Sequence, residues 1–149
     1  MHYHVFTDGT INKEDSMGFL AFMIHTDDNF ITIKSDKIDT THITVTETLA
    51  VGKACKFLLK DVGLTAKDKV TLYVDAQAAI SYISAYLDGE RRATKDERIV
   101  QTCILADYIN KLCDLKFVKV KSHTMTYNGN DVADLVTTMT KRGSWKCLA

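Results

Sequence analysis

The chain has no proline at all and only seven glycines in 149 residues. Turns must therefore be built from Gly, Asn and Asp, and a proline-rich linker or polyproline ligand is excluded. Net charge is also missing, because 19 Lys and Arg balance 19 Asp and Glu. No global field marks a nucleic-acid or membrane partner, so any polyanion contact has to come from a local patch. No apolar run approaches the ~18 residues of a membrane helix, and no N-terminal h-region precedes a cleavage site. Neither secretion nor membrane spanning is supported. The four cysteines, Cys55, Cys103, Cys113 and Cys147, make no C-x-x-C pair and have no zinc-ligand spacing. They read as reduced, mostly buried thiols of a cytoplasmic protein.

What is present is ordinary for a globular domain, with 46% hydrophobic and 26% charged residues. There is no repeat, low-complexity tract or interdomain linker, so residues 1–149 read as a single domain with a sizeable core. Tyr3, Val5 and Thr7 alternate with His4, Phe6 and Asp8 as in a strand closed by Asp8, with Gly9 turning the chain. Asn12 to Ser16 is a polar turn, and Gly18 to Ile24 is apolar on both faces, as in a central strand. After the turn Thr26 to Asn29, a third strand runs from Phe30 to Lys34, which makes an antiparallel meander.

The period then changes. Thr46 to Asp61 fits a helix stopped by Gly63, and Val70 to Val74 a fourth strand followed at once by helical sequence to Leu87. A charged break follows at Asp88 to Lys95. Asp96 to Cys113 reads as a helix, Leu115 to Val120 as a fifth strand, and Asp131 to Thr140 as a closing helix. The fold class is α/β: a mixed five-stranded sheet, antiparallel through strands 1–3 and parallel through strands 1, 4 and 5, flanked by helices.

Four acids stand at the ends of these elements. Asp8 closes strand 1 and Asp75 closes strand 4, where ligands of open α/β sheets gather. Glu47 opens the first helix, and Asp134 begins the last. Each has a structural alternative: a turn for Asp8-Gly9, a capping box for Thr44-x-x-Glu47, an N-cap for Asp75, and the helix dipole for Asp134. Ala50, Val51, Ala54 and Leu58 follow Glu47 at helical spacing, however, which puts its carboxylate at the head of the buried stripe. Two carboxylates about 5 Å apart repel by about 3 kcal/mol at an effective dielectric of 20. A fold that clusters them needs a cation, and hard oxygen ligands suit Mg²⁺ or Mn²⁺.

These residues resemble the type 1 ribonucleases H, which cut the RNA strand of RNA–DNA hybrids. The resemblance rests on FTDGT, a Glu early in the first helix, YVDAQ and KSHTMTYNGNDVAD, in that order along nearly the whole chain. It implies a ribonuclease H-like fold with Asp8, Glu47, Asp75 and Asp134 as catalytic metal ligands. It further implies that His123 assists proton transfer or product release, and that Thr10, Gln77 and Asn130 lie near the substrate. By two-metal logic one ion activates a water and the other stabilises the leaving 3′ oxygen. RNA is told from DNA by its 2′-hydroxyls.

Departures from the family pattern are also legible. INKEDS replaces a Gly-rich turn, Ile43 and Thr44 stand where the family usually has Asn, and the loop after His123 has one extra residue. The family's basic protrusion is reduced to Arg91, Arg92 and Lys95. A compact monomer of modest affinity, phage- or prokaryote-like, is expected. Two further functions share the fold: a nuclease acting on DNA junctions or recombination intermediates, and a non-catalytic nucleic-acid-binding module. Degenerate modules typically lose acids, whereas all four remain here. His2 and His4 share a strand face but are two ligands only, too few for a closed metal site. Trp145, beside Lys141 and Arg142, is expected to pack on the core rather than stack on a base.

Overall fold

The computed structural model describes residues 1–90 and 96–120. Strands β1 (His2–Asn12), β2 (Met17–His25) and β3 (Phe30–Asp39) are followed by helix α1 (Ile43–Phe57), which continues into a π-helical turn, Leu58–Val62. Then come β4 (Lys69–Val74), α2 (Gln77–Leu87), α3 (Glu97–Leu112) and β5 (Asp114–Lys119). The sheet order is β3-β2-β1-β4-β5. β1–β2 and β2–β3 pair antiparallel, and β1–β4 and β4–β5 pair parallel, as the sequence pattern predicts. The closing helix expected at 131–140 and the charged segment 91–95 lie outside the described residues.

Alternation along β1 divides the core. Tyr3 and Val5 join Leu20, Phe22, Ile24, Val70 and Leu72 beneath residues of α1, α2 and α3, including Ala50, Leu58, Ile83, Cys103 and Ile109. On the opposite face Phe6 clusters with Phe19, Ala21 and Met23, and its ring stacks on Tyr73 with centroids 4.5 Å apart. β2 is buried along almost its whole length because it carries apolar residues to both faces. The outer strands carry the charges instead. Lys34, Asp36 and Lys37 on β3, with Asp114 and Lys119 on β5, are exposed and keep those edges from pairing with another sheet.

Three boundaries differ from the sequence expectation by three residues or more, each for a tertiary reason. β1 does not end at Asp8. It continues to Asn12, because β2 keeps pairing with it through Asp8↔Ala21 and Gly9↔Leu20 as far as Asn12↔Met17. β3 runs past Lys34 to Asp39 for the same reason, its polar second half being held by the first half of β2. α1 begins at Ile43, three residues early, with His42 as N-cap and no side-chain cap bond. The Thr44-x-x-Glu47 capping box is therefore not formed. The hydroxyl of Thr46 instead donates to the His42 carbonyl (3.3 Å) and that of Thr48 to the Thr44 carbonyl (2.7 Å). Gly63 does stop the helical segment, in the left-handed region at φ 76°.

Candidate active site

Gly9 positions the site, and not by turning the chain. It lies within β1, under the first turn of α1. A Cβ at Gly9 would stand 2.9 Å from Thr46 Cγ2 and 3.1 Å from the Glu47 backbone nitrogen. Gly18, on the neighbouring strand, leaves room for the same threonine: a Cβ there would run into Thr46 Oγ1. Two glycines on adjacent strands thus seat Thr46, and that seat brings the next residue, Glu47, down to the sheet. The dipeptide that reads as a turn in sequence is a close-approach site in the fold.

Parallel pairing between β1 and β4 ends at Phe6↔Tyr73. Asp8 sits two residues beyond the last pair on one strand, and Asp75 follows the last residue of the other. Both acids thus stand just past the point where the two parallel strands stop pairing, Asp8 within β1 and Asp75 after the end of β4. Asp8 is buried, and its Oδ1 accepts the Gly9 N–H at 2.9 Å. Asp75 precedes α2, whose N-cap is Ala76 without a side-chain bond, so the N-cap alternative for Asp75 does not hold.

Glu47 reports how close these groups are. Its carboxyl is pushed up to about 8, first by burial, then by the charges of Asp75 and Asp8, and also by a hydrogen bond shared with Asp75. A proton holds together what like charges would drive apart. The other residues of the α1 stripe, Ala50, Val51, Ala54 and Leu58, are fully buried. Neighbouring carboxylates of this kind would suit a divalent Mg²⁺- or Mn²⁺-class cation.

The remaining expected residues divide in two. Thr10 is half-buried on β1, paired with Phe19, and Gln77 is exposed at the start of α2, its amide donating to Ser81 Oγ at 3.0 Å. His123, Asn130 and Asp134 lie outside the described residues, as do Arg91, Arg92, Lys95, Lys141, Arg142 and Trp145. Of the cysteines in the described residues, Cys55 and Cys103 are buried and Cys113 half-buried, all as free thiols. Among the described residues no helix is long and apolar enough to cross a membrane.

Sequence reasoning missed Gly18 and Thr46 as the supports of Glu47. The signal available was a glycine on each of two adjacent predicted strands, which register would have placed beneath one helix. It also missed Asp27. Among the described residues, the group of three His, Cys, Asp or Glu side chains whose ligand atoms all lie within 4.8 Å of one another is His2, His4 and Asp27.

Among solved structures, the chain is similar to RNase H1 from the halophilic archaeon Halobacterium salinarum NRC-1. That match has a TM-score of 0.60 at 17% sequence identity and covers 81% of this chain and 86% of the archaeal one. At that identity the likeness speaks for the fold. A search of curated protein sequences finds no significant match. The family model for RNase H matches residues 1–142, a span that takes in every strand, helix and acid discussed above. By that match over nearly its whole length, the chain belongs to the RNase H family.

Proposed function

We propose that this chain is a divalent-metal-dependent endonuclease that hydrolyses the RNA strand of RNA–DNA hybrids, leaving 5′-phosphate ends. A single catalytic domain spanning 1–149 carries the reaction, as a monomer in the cytoplasm. The observation that carries this reading is the Glu47 carboxyl, raised to about 8 by burial, by Asp75 just after β4 and by Asp8 within β1. Such a cluster is unfavourable in a metal-free protein and useful in a metal-binding one.

Asp8, Glu47 and Asp75, together with Asp134, would hold the ions. When bound, two divalent ions supply a nucleophilic water at neutral pH and neutralise charge on the scissile phosphate and departing 3′ oxygen. Asp8 needs no rearrangement, because burial and the Gly9 N–H fix its carboxylate. Glu47 would serve as a ligand in its ionised form, which burial with Asp75 and Asp8 disfavours below about pH 8 in the metal-free protein. His123 hands a proton to the leaving oxygen or eases product release. Gln77 presents an amide at the exposed start of α2, and with Thr10 and Asn130 it would contact the hybrid, whose 2′-hydroxyls distinguish RNA from DNA.

The test is incubation of the full chain with labelled RNA–DNA hybrid, duplex RNA, duplex DNA and a four-way DNA junction, with Mg²⁺, Mn²⁺ or chelator. Cleavage confined to the RNA of the hybrid, and only with metal, is expected. Preferential cutting of the junction, or binding of hybrid without cutting in either metal, overturns the assignment.

A further inference from the structure

Strand β1 carries a second cluster at its start. His2 and His4 lie on one face of the strand, two residues apart, with ring centroids 4.1 Å apart and tilted by 31°. β1 and β2 are antiparallel with His4 opposite His25, so Asp27, two residues further on, falls level with His2. Its carboxylate Oδ1 stands 2.7 Å from His4 Nε2. The turn that presents it is tied at both ends: the Thr26 N–H donates to the Asn29 carbonyl (2.8 Å) and the Asn29 N–H to Thr26 Oγ1 (3.0 Å).

We propose that His2, His4 and Asp27 form a second metal site, separate from the carboxylate cluster, for a zinc-class divalent cation. Three ligand atoms, two from imidazoles and one from a carboxylate, lie within 4.8 Å of one another. A tetrahedral zinc site places its ligands about 3.3 Å apart, and three protein ligands with one solvent position is a common set. Imidazole directs the choice to zinc rather than magnesium. The outer contacts are present as well. His2 Nε2 shares a hydrogen bond with Thr71 Oγ1 (2.7 Å) and His4 Nδ1 with Tyr73 Oη (2.9 Å), both from β4. Hydroxyls from one neighbouring strand thus orient both rings, the role that outer contacts play for metal-bound histidines.

His4 is buried and His2 half-buried, while the side chain of Asp27 is 67% exposed and opens the site to solvent. Six residues of extended chain separate His2 from Asp8, roughly 20 Å. The two sites do not share ligands. A cation here would join the first residues of β1 to the β2–β3 turn.

The experiment is zinc titration calorimetry on the untagged full chain, stripped of metal and measured in saturating Mg²⁺ to occupy the carboxylates. Wild type is expected to bind one zinc equivalent. Asp27→Asn and His2→Ala should each weaken it at least tenfold, whereas Asp8→Asn should leave it unchanged. Both diagnostic variants change residues that are not fully buried, so the result does not hinge on His4→Ala folding. Tyr73→Phe, which removes an outer contact only, should weaken zinc by roughly tenfold. Zinc binding that survives unchanged in Asp27→Asn and His2→Ala, or that disappears in Asp8→Asn, overturns the proposal. Neither result bears on hybrid cleavage, which is read in Mg²⁺.

Discussion

Two places along strand β1 gather charged side chains by opposite rules. Midway along it, Asp8 joins Asp75 and Glu47 in a group of acids, where burial and the two aspartates push the Glu47 carboxyl up to about 8. At the other, His2 and His4 meet Asp27, and each histidine also meets a hydroxyl of β4. The first cluster is strained without a cation. The second is already a mutually satisfied hydrogen-bond network that a cation would enter by displacing a proton. A group of potential ligands therefore does not have one thermodynamic signature.

The largest expected effect is on chemistry. Asp8→Asn or Asp75→Asn should slow hybrid cleavage by at least 100-fold, about 2.7 kcal/mol in barrier, with the fold intact by circular dichroism. A variant that keeps more than a tenth of the wild-type rate removes that acid from the site. Changes at the histidine end should leave the rate in Mg²⁺ within about twofold, a change of about 0.4 kcal/mol.

Gly9→Ala tests the seat rather than the acids. The new methyl would stand 2.9 Å from Thr46 Cγ2, so α1 has to lift, and overpacking of this kind costs about 1–3 kcal/mol. Urea denaturation should show the loss, and cleavage should fall with it because Glu47 moves away from Asp8. Unchanged stability would mean that α1 is not held against the strand as described.

Next is pH. Unfolded, Glu47 ionises near 4.5; folded, it keeps its proton to about 8. The folded state therefore holds an extra proton between those values, and stability declines as pH rises through the window. In chelator, wild type should lose stability relative to Glu47→Gln from about pH 4.5 to about pH 8, and the difference should level off above. Parallel pH profiles would show that the carboxylates do not interact in solution.

The smallest effects make the sharpest contrast. In chelator Asp8→Asn should raise the melting temperature, because it removes a buried like charge. Asp27→Asn should lower it slightly, by no more than about 1 kcal/mol, because it weakens the hydrogen bond between His4 and a largely exposed carboxylate. Adding Mg²⁺ should stabilise wild type and not Asp8→Asn. If both substitutions shift the melt in the same direction, the two clusters are not different in kind.

How legible all this was in sequence varies residue by residue. The meander, the parallel strands and the buried stripe behind Glu47 follow from period and polarity, which burial enforces locally. Asp75 follows as well, since a strand that runs straight into a helix leaves few places for the residue between them. The capping box failed because α1 took its start from packing over Gly9 and Gly18, not from its own terminal hydrogen bonds. The Asp-Gly turn failed because β2 supplied partners that carried β1 past it.

By itself, then, the sequence determined the class of fold, the order of its elements and the chemical identity of the acids. Those depend on which residues prefer water and on how side chains repeat along a helix or a strand. Only the tertiary structure decided that Glu47 lies against Asp75 and Asp8, that Gly9 and Gly18 make room for a helix, and that Asp27 completes a pair of histidines. Each of those facts is a contact between residues far apart in the chain, set by strand register and by the closeness with which α1 can approach the sheet. Neither quantity is written in any local stretch of residues.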